Sequence, residues 1–329
     1  MADSGGGDPH RPIAVIGGAG FIGSHLVDAL LAEGRSVDVL DTLENGSIAN
    51  LAAARRSGGS LKFHHVDAAS ADGVAVLALR RPRVVFHLAL LVPGEDDARA
   101  ASESFASIVA VCSAARHAGV DKVVVAVPAT DIYGRPSARE LPVKEAPLVA
   151  NGLRGAAAKA IVDVVTYHRE ADGLEFTVLA LATVYGPRQR PSGGVVAAFV
   201  AAALDGEPAT VHGDGRQTRD LLYVEDAVDA LVKSADRGGG LVVNVGTGTQ
   251  TPIRDLHKLV TPDGLAAEPG PGRWGEPGRF AVSPVRARIH IAWSPWTSLV
   301  DGIGDTVDAA RAARAARAGS AEHGGGEAG

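Results

Sequence analysis

Short apolar runs alternate with segments of helical periodicity from the start of the chain to about residue 181. Runs of strand length occupy residues 13–16, 37–40, 61–66, 84–89, 122–127 and 176–181. Between the later runs, apolar positions recur at helical spacing, most clearly over residues 101–117 and 156–170. This alternation predicts an α/β fold of Rossmann type, with a doubly wound parallel sheet. The loops that follow the strands are therefore the expected site of chemistry.

The regular alternation ends near Ala182 and a less regular region follows. Its stretches rich in proline and glycine are residues 185–194, 206–215 and 262–278. The elements expected between them are a helix at 195–204, a helix that begins at Glu225 and Asp226, and a strand at 241–245. We expect a large domain over residues 11–181, to which 216–245 return, and a smaller C-terminal substrate-binding lobe over 182–315. The polar, Gly-rich ends, 1–10 and 316–329, are expected to be a disordered leader and a disordered tail.

A glycine-rich turn joins the first apolar run to the first helical segment. Gly17 permits a sharp exit from the strand, Gly20 lets the backbone approach a pyrophosphate, and Gly23 lets the helix pack on the sheet. The start of that helix offers unpaired N–H groups and a positive dipole to a phosphate. The alternative is a structural turn without a phosphate, but the strand–turn–helix context favours a dinucleotide site.

Asp41 ends the second strand, about twenty residues after the glycine turn. A carboxylate there can bind a ribose 2′-hydroxyl and would repel a 2′-phosphate. The sequence therefore predicts NAD rather than NADP as the cofactor.

Composition narrows the class of protein. Aromatic residues make up only 4% of the 329 residues while hydrophobic residues make up 46%, so the core must consist mostly of Ala, Val, Leu and Ile. The net charge of −6 gives no basic field for nucleic acid or a membrane surface. The single cysteine, Cys112, excludes an internal disulfide framework and fits a reducing cytosol. No apolar run has the length of a membrane span, and residues 1–10 lack the features of a signal peptide, so we expect a cytoplasmic protein.

Several segments stand together in the order of a known family. They are Gly-Gly-Ala-Gly-Phe-Ile-Gly-Ser-His at 17–25, Asp-Thr-Leu at 41–43, His-Leu-Ala at 87–89, Val-Tyr-Gly-Pro-Arg-Gln at 184–189, the long segment at 213–226, Asn-Val-Gly at 244–246 and Arg-Trp-Gly-Glu at 273–276. From about Pro12 to Val307 the chain resembles an extended short-chain dehydrogenase/reductase. The resemblance is to its NAD-dependent epimerase/dehydratase group, which includes UDP-glucose 4-epimerases.

This resemblance implies roles for particular residues. The implied cofactor contacts are Gly17, Gly20, Phe21, Ile22, Gly23, Asp41, Asn45, Asp67, Ala68, Leu88, Ala89 and Lys159. Among them, Asp67 matches the contact to the adenine amino group, Asn45 lies near the adenosine phosphate, and Leu88 and Ala89 form the wall beside the nicotinamide.

The implied ligand of the smaller lobe is a nucleoside-diphosphate sugar. Arg219 and Arg273 match the cations that hold its diphosphate, and Glu276 matches the carboxylate that binds the nucleoside ribose. His212 stands where the family often has an aromatic ring stacked on the base, and Thr183 stands where an asparagine is expected. The planar guanidinium group suits phosphate, so the chemistry of arginine supports the diphosphate-binding role of both residues independently of the resemblance. The alternative is a surface ion pair, which is the more usual role of an arginine.

The family's catalytic motif is altered in this sequence. The family has a Tyr four residues before a Lys, whereas here Gly155 precedes Lys159. The hydroxyl position after the fifth strand falls on Ala129, with Thr130 one place later. Lys159 can act as a ribose clamp, or as a base if its pKa falls beside the positive nicotinamide. Asp131 stands where related 4,6-dehydratases carry an acidic base, and its alternative is a solvated loop carboxylate.

Three functions remain open from the sequence. The first is an NAD-dependent sugar-nucleotide epimerase, most simply of UDP-sugars, that acts through a 4-keto intermediate in an atypical site built from Lys159, Thr130 and Asp131. The second is a 4,6-dehydratase or reductase of the same superfamily. The third is a non-catalytic protein that binds NAD and a sugar nucleotide. The resemblance also implies a homodimer, paired through the helices at 102–117 and 156–170.

Overall fold

The computed structural model describes residues 11–92, 96–145, 148–261, 264–271 and 277–324, with side chains described as far as residue 316. The strands in this part of the chain are β1 (Ile13–Ile16), β2 (Val37–Asp41), β3 (Leu61–His65), β4 (Val84–His87), β5 (Lys122–Pro128), β6 (Glu175–Leu181), β7 (Thr183–Tyr185), β8 (Ala209–His212), β9 (Thr218–Arg219), β10 (Leu221–Tyr223), β11 (Leu241–Val245), β12 (Thr251–Pro252) and β13 (Ala267–Gly270). The helices are α1 (Phe21–Ala32), α2 (Ala52–Arg56), α3 (Ala71–Arg80), α4 (Asp97–Ala118), α5 (Ala129–Tyr133), α6 (Gly152–Asp172), α7 (Val195–Asp205), α8 (Val224–Ser234), α9 (Ile253–Val260), α10 (Val285–His290) and α11 (Leu299–Gly324).

The described residues form a seven-stranded parallel sheet at the centre of the fold, in the order β11-β6-β5-β4-β1-β2-β3. The Rossmann-type α/β fold that the sequence predicts is confirmed. Strands β1, β2 and β4 are buried along their whole length, because helices cover both faces of the sheet. The strand order reverses between β1 and β4, and a crevice opens there at the carboxyl ends of the strands.

Local sequence signals set the ends of the long helices. Asp96 caps α4 by accepting hydrogen bonds from the N–H groups of Ala98 and Arg99, both at 3.0 Å. The helix ends at Gly119, whose φ of +66° lies in the left-handed region that favours glycine. A comparable glycine, Gly173 with φ +72°, ends α6. These caps give α4 and α6 firm ends beside the sheet.

Most of the described strands after β6 form small two-stranded sheets. β10 pairs with β7 and β13 with β8 in parallel, while β12 pairs with β9 in antiparallel fashion. β11 leaves this region and joins the large sheet beside β6. The division into a large domain and a substrate-binding lobe stays a prediction.

Strand β4 ends at His87, two residues before the expected end at Ala89, and three helix boundaries differ from the sequence-based expectations by about one turn or more. Helices α4 and α6 each begin about one turn earlier than the apolar periodicity predicts, since their first turns are polar or glycine-containing. The helical backbone of α11 continues to Gly324, past residue 316, where the predicted tail begins. Alanine and arginine are strong helix formers, so the Ala-Ala-Arg repeats sustain the helix. Among the described residues, every helix is too short or too polar to cross a bilayer.

Candidate active site

A cavity of about 1500 Å³ opens at the carboxyl ends of β1, β2, β4, β5 and β6. It begins at the glycine turn, passes the segment after β4, and continues between α7 and α11. Its described lining includes these residues predicted for the site: Gly17, Gly20, Phe21, Ile22, Gly23, Asp41, Asn45, Asp67, Ala68, Leu88, Ala89, Thr130, Thr183 and Arg219. The topology thus brings together side chains that are far apart in the sequence.

The glycine turn has a shape that only glycine permits. Gly17 has φ +79°, and a Cβ added at Gly23 would lie 2.1 Å from the carbonyl oxygen of Gly17. The cap of α1 is Gly20, which has no side chain to occupy the first-turn N–H groups of the helix. An open helix start of this kind fits a pyrophosphate, so the residues present suit a dinucleotide.

Asp41 is fixed beside this turn. Its Oδ2 accepts a hydrogen bond from the Ala19 N–H at 2.8 Å, and its Oδ1 accepts one from the Leu43 N–H at 2.7 Å. The carboxylate is buried but still lines the cavity. Its negative charge is thereby held where the ribose of a bound dinucleotide is expected.

Two contacts across the cavity mouth were not foreseen from the sequence. Arg190 donates to Oδ1 of Asn45 at 2.6 Å, and Arg99 donates to Oε2 of Glu44 at 2.8 Å. Both arginines line the cavity. They connect the loop after β2 to the segment after β7 and to α4. The sequence gives no signal for these pairs, because each joins distant and otherwise ordinary surface residues.

Of the residues predicted to bind the substrate, Thr183 and Arg219 line the cavity. Arg219 donates from Nη1 to the carbonyl oxygens of Thr218 and Pro277, both at 2.9 Å. His212 is absent from the described lining, and its Nδ1 lies 2.9 Å from the Pro271 carbonyl oxygen. Arg273 and Glu276 lie outside the described residues.

Helices α7 and α11 form the far end of the cavity. The residues that they contribute are Ala197, Val200, Ala201, Leu204, Asp205, Thr306, Ala309, Ala310, Ala313 and Arg314. Arg314 ties the two helices together by donating to the Leu204 carbonyl oxygen at 2.6 Å and to Oδ1 of Asp205 at 2.7 Å. No motif marked α11 as part of the site, since alanines carry no chemical signal.

Of the three catalytic candidates, only Thr130 is among the described residues that line the cavity. The carboxylate of Asp131 instead accepts hydrogen bonds from Nη2 and Nε of Arg154, at 3.0 and 3.2 Å. Burial raises the pKa of Asp131, and the contact with Arg154 opposes that shift. Lys159 points along its own helix, with Nζ 2.5 Å from Oδ2 of Asp163 and its side chain about half exposed.

Gly155 lies where α6 passes close to α5. It is buried. A Cβ added there would lie 3.2 Å from the carbonyl oxygen of Asp131 and 3.2 Å from the carbonyl carbon of Ala150. Any larger residue would require that backbone to move slightly. Ala129 is fully buried, so a hydroxyl at that position would lie in the core rather than in the cavity.

The end of β4 carries a buried imidazole beside the cavity. Nε2 of His87 lies 2.8 Å from Oγ of Ser107, which lines the cavity. Burial lowers the pKa of His87 to about 3, so the ring is neutral near pH 7. A base with such a low pKa is a poor proton acceptor, and its clear role is to join β4 to α4.

A phosphate-binding glycine turn on a Rossmann sheet, an acidic residue after β2 and an arginine in the same cavity define a nucleotide-binding α/β enzyme. The family can be named more closely. The chain belongs to the NAD dependent epimerase/dehydratase family, whose sequence pattern it matches over residues 13–246.

Individual relatives agree with this family. The chain is 39% identical to the UDP-glucose 4-epimerase of Mycolicibacterium smegmatis over 90% of its own length and 97% of that protein's length. Its fold is similar to that of a Thermotoga maritima UDP-glucose 4-epimerase crystallised with UDP-glucose, with a TM-score of 0.85, 31% identity, and coverage of 92% and 99% of the two chains. A Thermus thermophilus UDP-glucose 4-epimerase in complex with NAD gives a TM-score of 0.82, 31% identity and coverage of 91% and 99%.

Proposed function

We propose that the protein is an NAD-dependent epimerase of sugar nucleotides, and that its substrates are UDP-hexoses. The observation that carries this proposal is the continuity of one cavity from the glycine turn and Asp41 to Arg219. A dinucleotide alone would need the part of the cavity beside the glycine turn, and it would not need the part that contains Arg219. The similarity to UDP-glucose 4-epimerases supports a UDP-sugar as the second ligand.

In this proposal NAD occupies the end of the cavity beside the glycine turn. The first turn of α1 receives the pyrophosphate, and Asp41 binds the ribose and disfavours the 2′-phosphate of NADP. Leu88 and Ala89 form an apolar wall after β4, where the nicotinamide ring is expected. The bound nicotinamide supplies the acceptor for the hydride that leaves the sugar C4.

The protein's own residues must then hold the sugar and its proton. Arg219 binds the diphosphate, because a guanidinium donates several hydrogen bonds to phosphate oxygens in a fixed geometry. The Thr130 hydroxyl can accept and donate hydrogen bonds and would orient the reacting sugar oxygen. Return of the hydride to the opposite face of a 4-keto intermediate would complete the epimerisation.

We propose that Gly155 stands in place of the family's catalytic tyrosine. A positioned acid or base contributes about a hundredfold to ten-thousandfold to the rate, so its loss would leave a slow enzyme. Asp131 and Lys159 are absent from the described cavity lining, and their side chains are engaged by Arg154 and Asp163, which supports this expectation.

The two other functions remain alternatives. A dehydratase would need an acid–base group at the sugar, and the contact of Asp131 with Arg154 argues against that residue. A protein that binds both nucleotides without turnover would have the same cavity, so only a rate measurement separates it from an epimerase.

The proposal is tested by changing Arg219, the arginine of the cavity lining that would bind the diphosphate. Arg219→Ala should weaken UDP-glucose binding more than tenfold, since hydrogen bonds to a charged group are worth about 1.5–3 kcal/mol. NAD affinity should stay near that of the natural protein. Isothermal titration calorimetry with each ligand gives both affinities, and thermal unfolding checks that the variant is folded.

Arg216→Ala is the matched control, because Arg216 lies in the same segment but is 76% exposed and outside the described cavity lining. It should bind both ligands as the natural protein does. Equal UDP-glucose affinity for the Arg219 variant and this control would contradict the proposed substrate site.

A further inference from the structure

The cavity wall after β4 contains a strained turn. Leu91 lines the cavity, is almost fully buried, and has φ +50°. A left-handed backbone at a residue other than glycine is uncommon and persists only where the surroundings hold it in place. The turn therefore depends on its neighbours for its shape.

Two side chains hold the backbone of Leu91 from opposite sides. Its N–H donates to Oγ of Ser104 at 2.8 Å. Its carbonyl oxygen accepts a hydrogen bond from Nη2 of Arg154. Arg154 also reaches the carbonyl oxygen of Val92 through Nη1, at 3.4 Å. Val92 lines the cavity as well, so Arg154 supports two consecutive residues of the wall.

Asp131 in turn fixes Arg154. The carboxylate Oδ2 lies 3.0 Å from Nη2 and 3.2 Å from Nε, and the two side chains are only 14% and 15% exposed. A planar guanidinium can meet a carboxylate on one edge and carbonyl oxygens on another, and an ammonium cannot reproduce that geometry. Burial favours the neutral acid at Asp131, and the guanidinium counteracts this effect.

We propose that Asp131 and Arg154 are positioning residues that fix the Leu91–Val92 turn, and with it the cavity wall that contacts bound NAD. Asp131 does not take a proton from the sugar. This inference rests on the proposed function, because it assumes that NAD occupies this end of the cavity. It assigns the acidic residue after β5 to cofactor binding instead of proton transfer.

The first test compares NAD affinities by calorimetry. Arg154→Met and Asp131→Asn should each weaken NAD binding about tenfold, a change that corresponds to about 1.4 kcal/mol. The double variant should lose no more than Arg154→Met alone, because both residues act through one contact. Arg139→Met removes an exposed arginine of the same region and should leave NAD affinity unchanged.

A second variant guards against simple loss of folding. Arg154→Lys keeps the positive charge beside Asp131 but loses the planar guanidinium group with its several donors. It should therefore fold normally and bind NAD with an affinity between those of the natural protein and Arg154→Met. In the protein without ligand, amide hydrogen exchange of residues 88–92 should be faster in both Arg154 variants than in the Arg139 control. This exchange measurement does not depend on NAD binding.

Three results would overturn the inference. One is unchanged NAD affinity in both Arg154 variants, and another is unchanged exchange of residues 88–92. The third is complete loss of turnover in Asp131→Asn with natural NAD affinity, which would make Asp131 the base. If the natural protein binds no NAD at all, the proposed function fails, whereas the exchange data still decide whether Arg154 holds the turn.

Discussion

At the scale of single residues, His87 should make the fold sensitive to acid. Its pKa falls to about 3 in the folded protein, from 6.5 in an unfolded chain. Between these values the unfolded chain binds a proton that the folded protein does not, so stability decreases as the pH falls below about 6.5. Through His87 alone, the free energy of unfolding should decrease by about 2 kcal/mol when the pH falls from 7 to 5.

His87→Gln keeps a hydrogen-bonding group for Ser107 but removes this titration. Urea unfolding at pH 7 and pH 5 should show a smaller loss of stability for this variant than for the natural protein. His65→Gln, which changes an exposed histidine, should behave as the natural protein does. An identical loss in all three proteins would contradict the role of His87.

Sequence reasoning could place residues of the cavity lining together where the signal is local. The glycine turn and Asp41 lie within one strand–turn–helix–strand unit, and their spacing alone places them together at the cavity. The surroundings of Asp131 and Lys159 could not be predicted in this way. The position of Asp131 depends on Arg154, which is 23 residues away in the sequence. The direction of Lys159 depends on how α6 packs through buried residues such as Ile161 and Val162.

At the scale of elements, the sequence predicted inner strands such as β1 and β4 because both faces of a parallel sheet are buried there and these strands are almost entirely apolar. The role of α11 as a cavity wall could not be predicted. Ala309 and Ala310 line the cavity, but nothing in an alanine-rich helix shows which of its faces meets a ligand.

This placement of α11 predicts a steric effect on one ligand. Ala310→Trp should fill part of the cavity between α7 and α11 and weaken UDP-glucose binding at least tenfold, with NAD affinity unchanged. Ala312→Trp adds the same side chain to an exposed position outside the described cavity lining and should change neither affinity. Calorimetry with both ligands checks the pair. Equal UDP-glucose affinities would show that the substrate does not reach α11.

At the scale of the whole molecule, we expect a homodimer paired through α4 and α6. These helices leave large apolar side chains exposed, including Phe105 at 46%, Leu153 at 55% and Tyr167 at 62%. An apolar surface of this kind is typical of an interface between copies. Light scattering should give a dimer for the natural protein and a monomer for Phe105→Glu. Leu79→Glu changes an exposed leucine on α3 and should remain a dimer. A monomeric natural protein would contradict the expectation.

The proposed function requires that this protein epimerise a UDP-hexose at C4, and this claim can be measured. The experiment is proton nuclear magnetic resonance of the protein with NAD and UDP-glucose in deuterated water. An epimerase returns the same hydride to C4, so slow formation of UDP-galactose with its C4 proton retained is the predicted result. Formation of a 4-keto-6-deoxy sugar would contradict the claim and indicate a dehydratase. Unchanged UDP-glucose at saturating ligand and long incubation would also contradict it, and would indicate a protein that only binds its nucleotides.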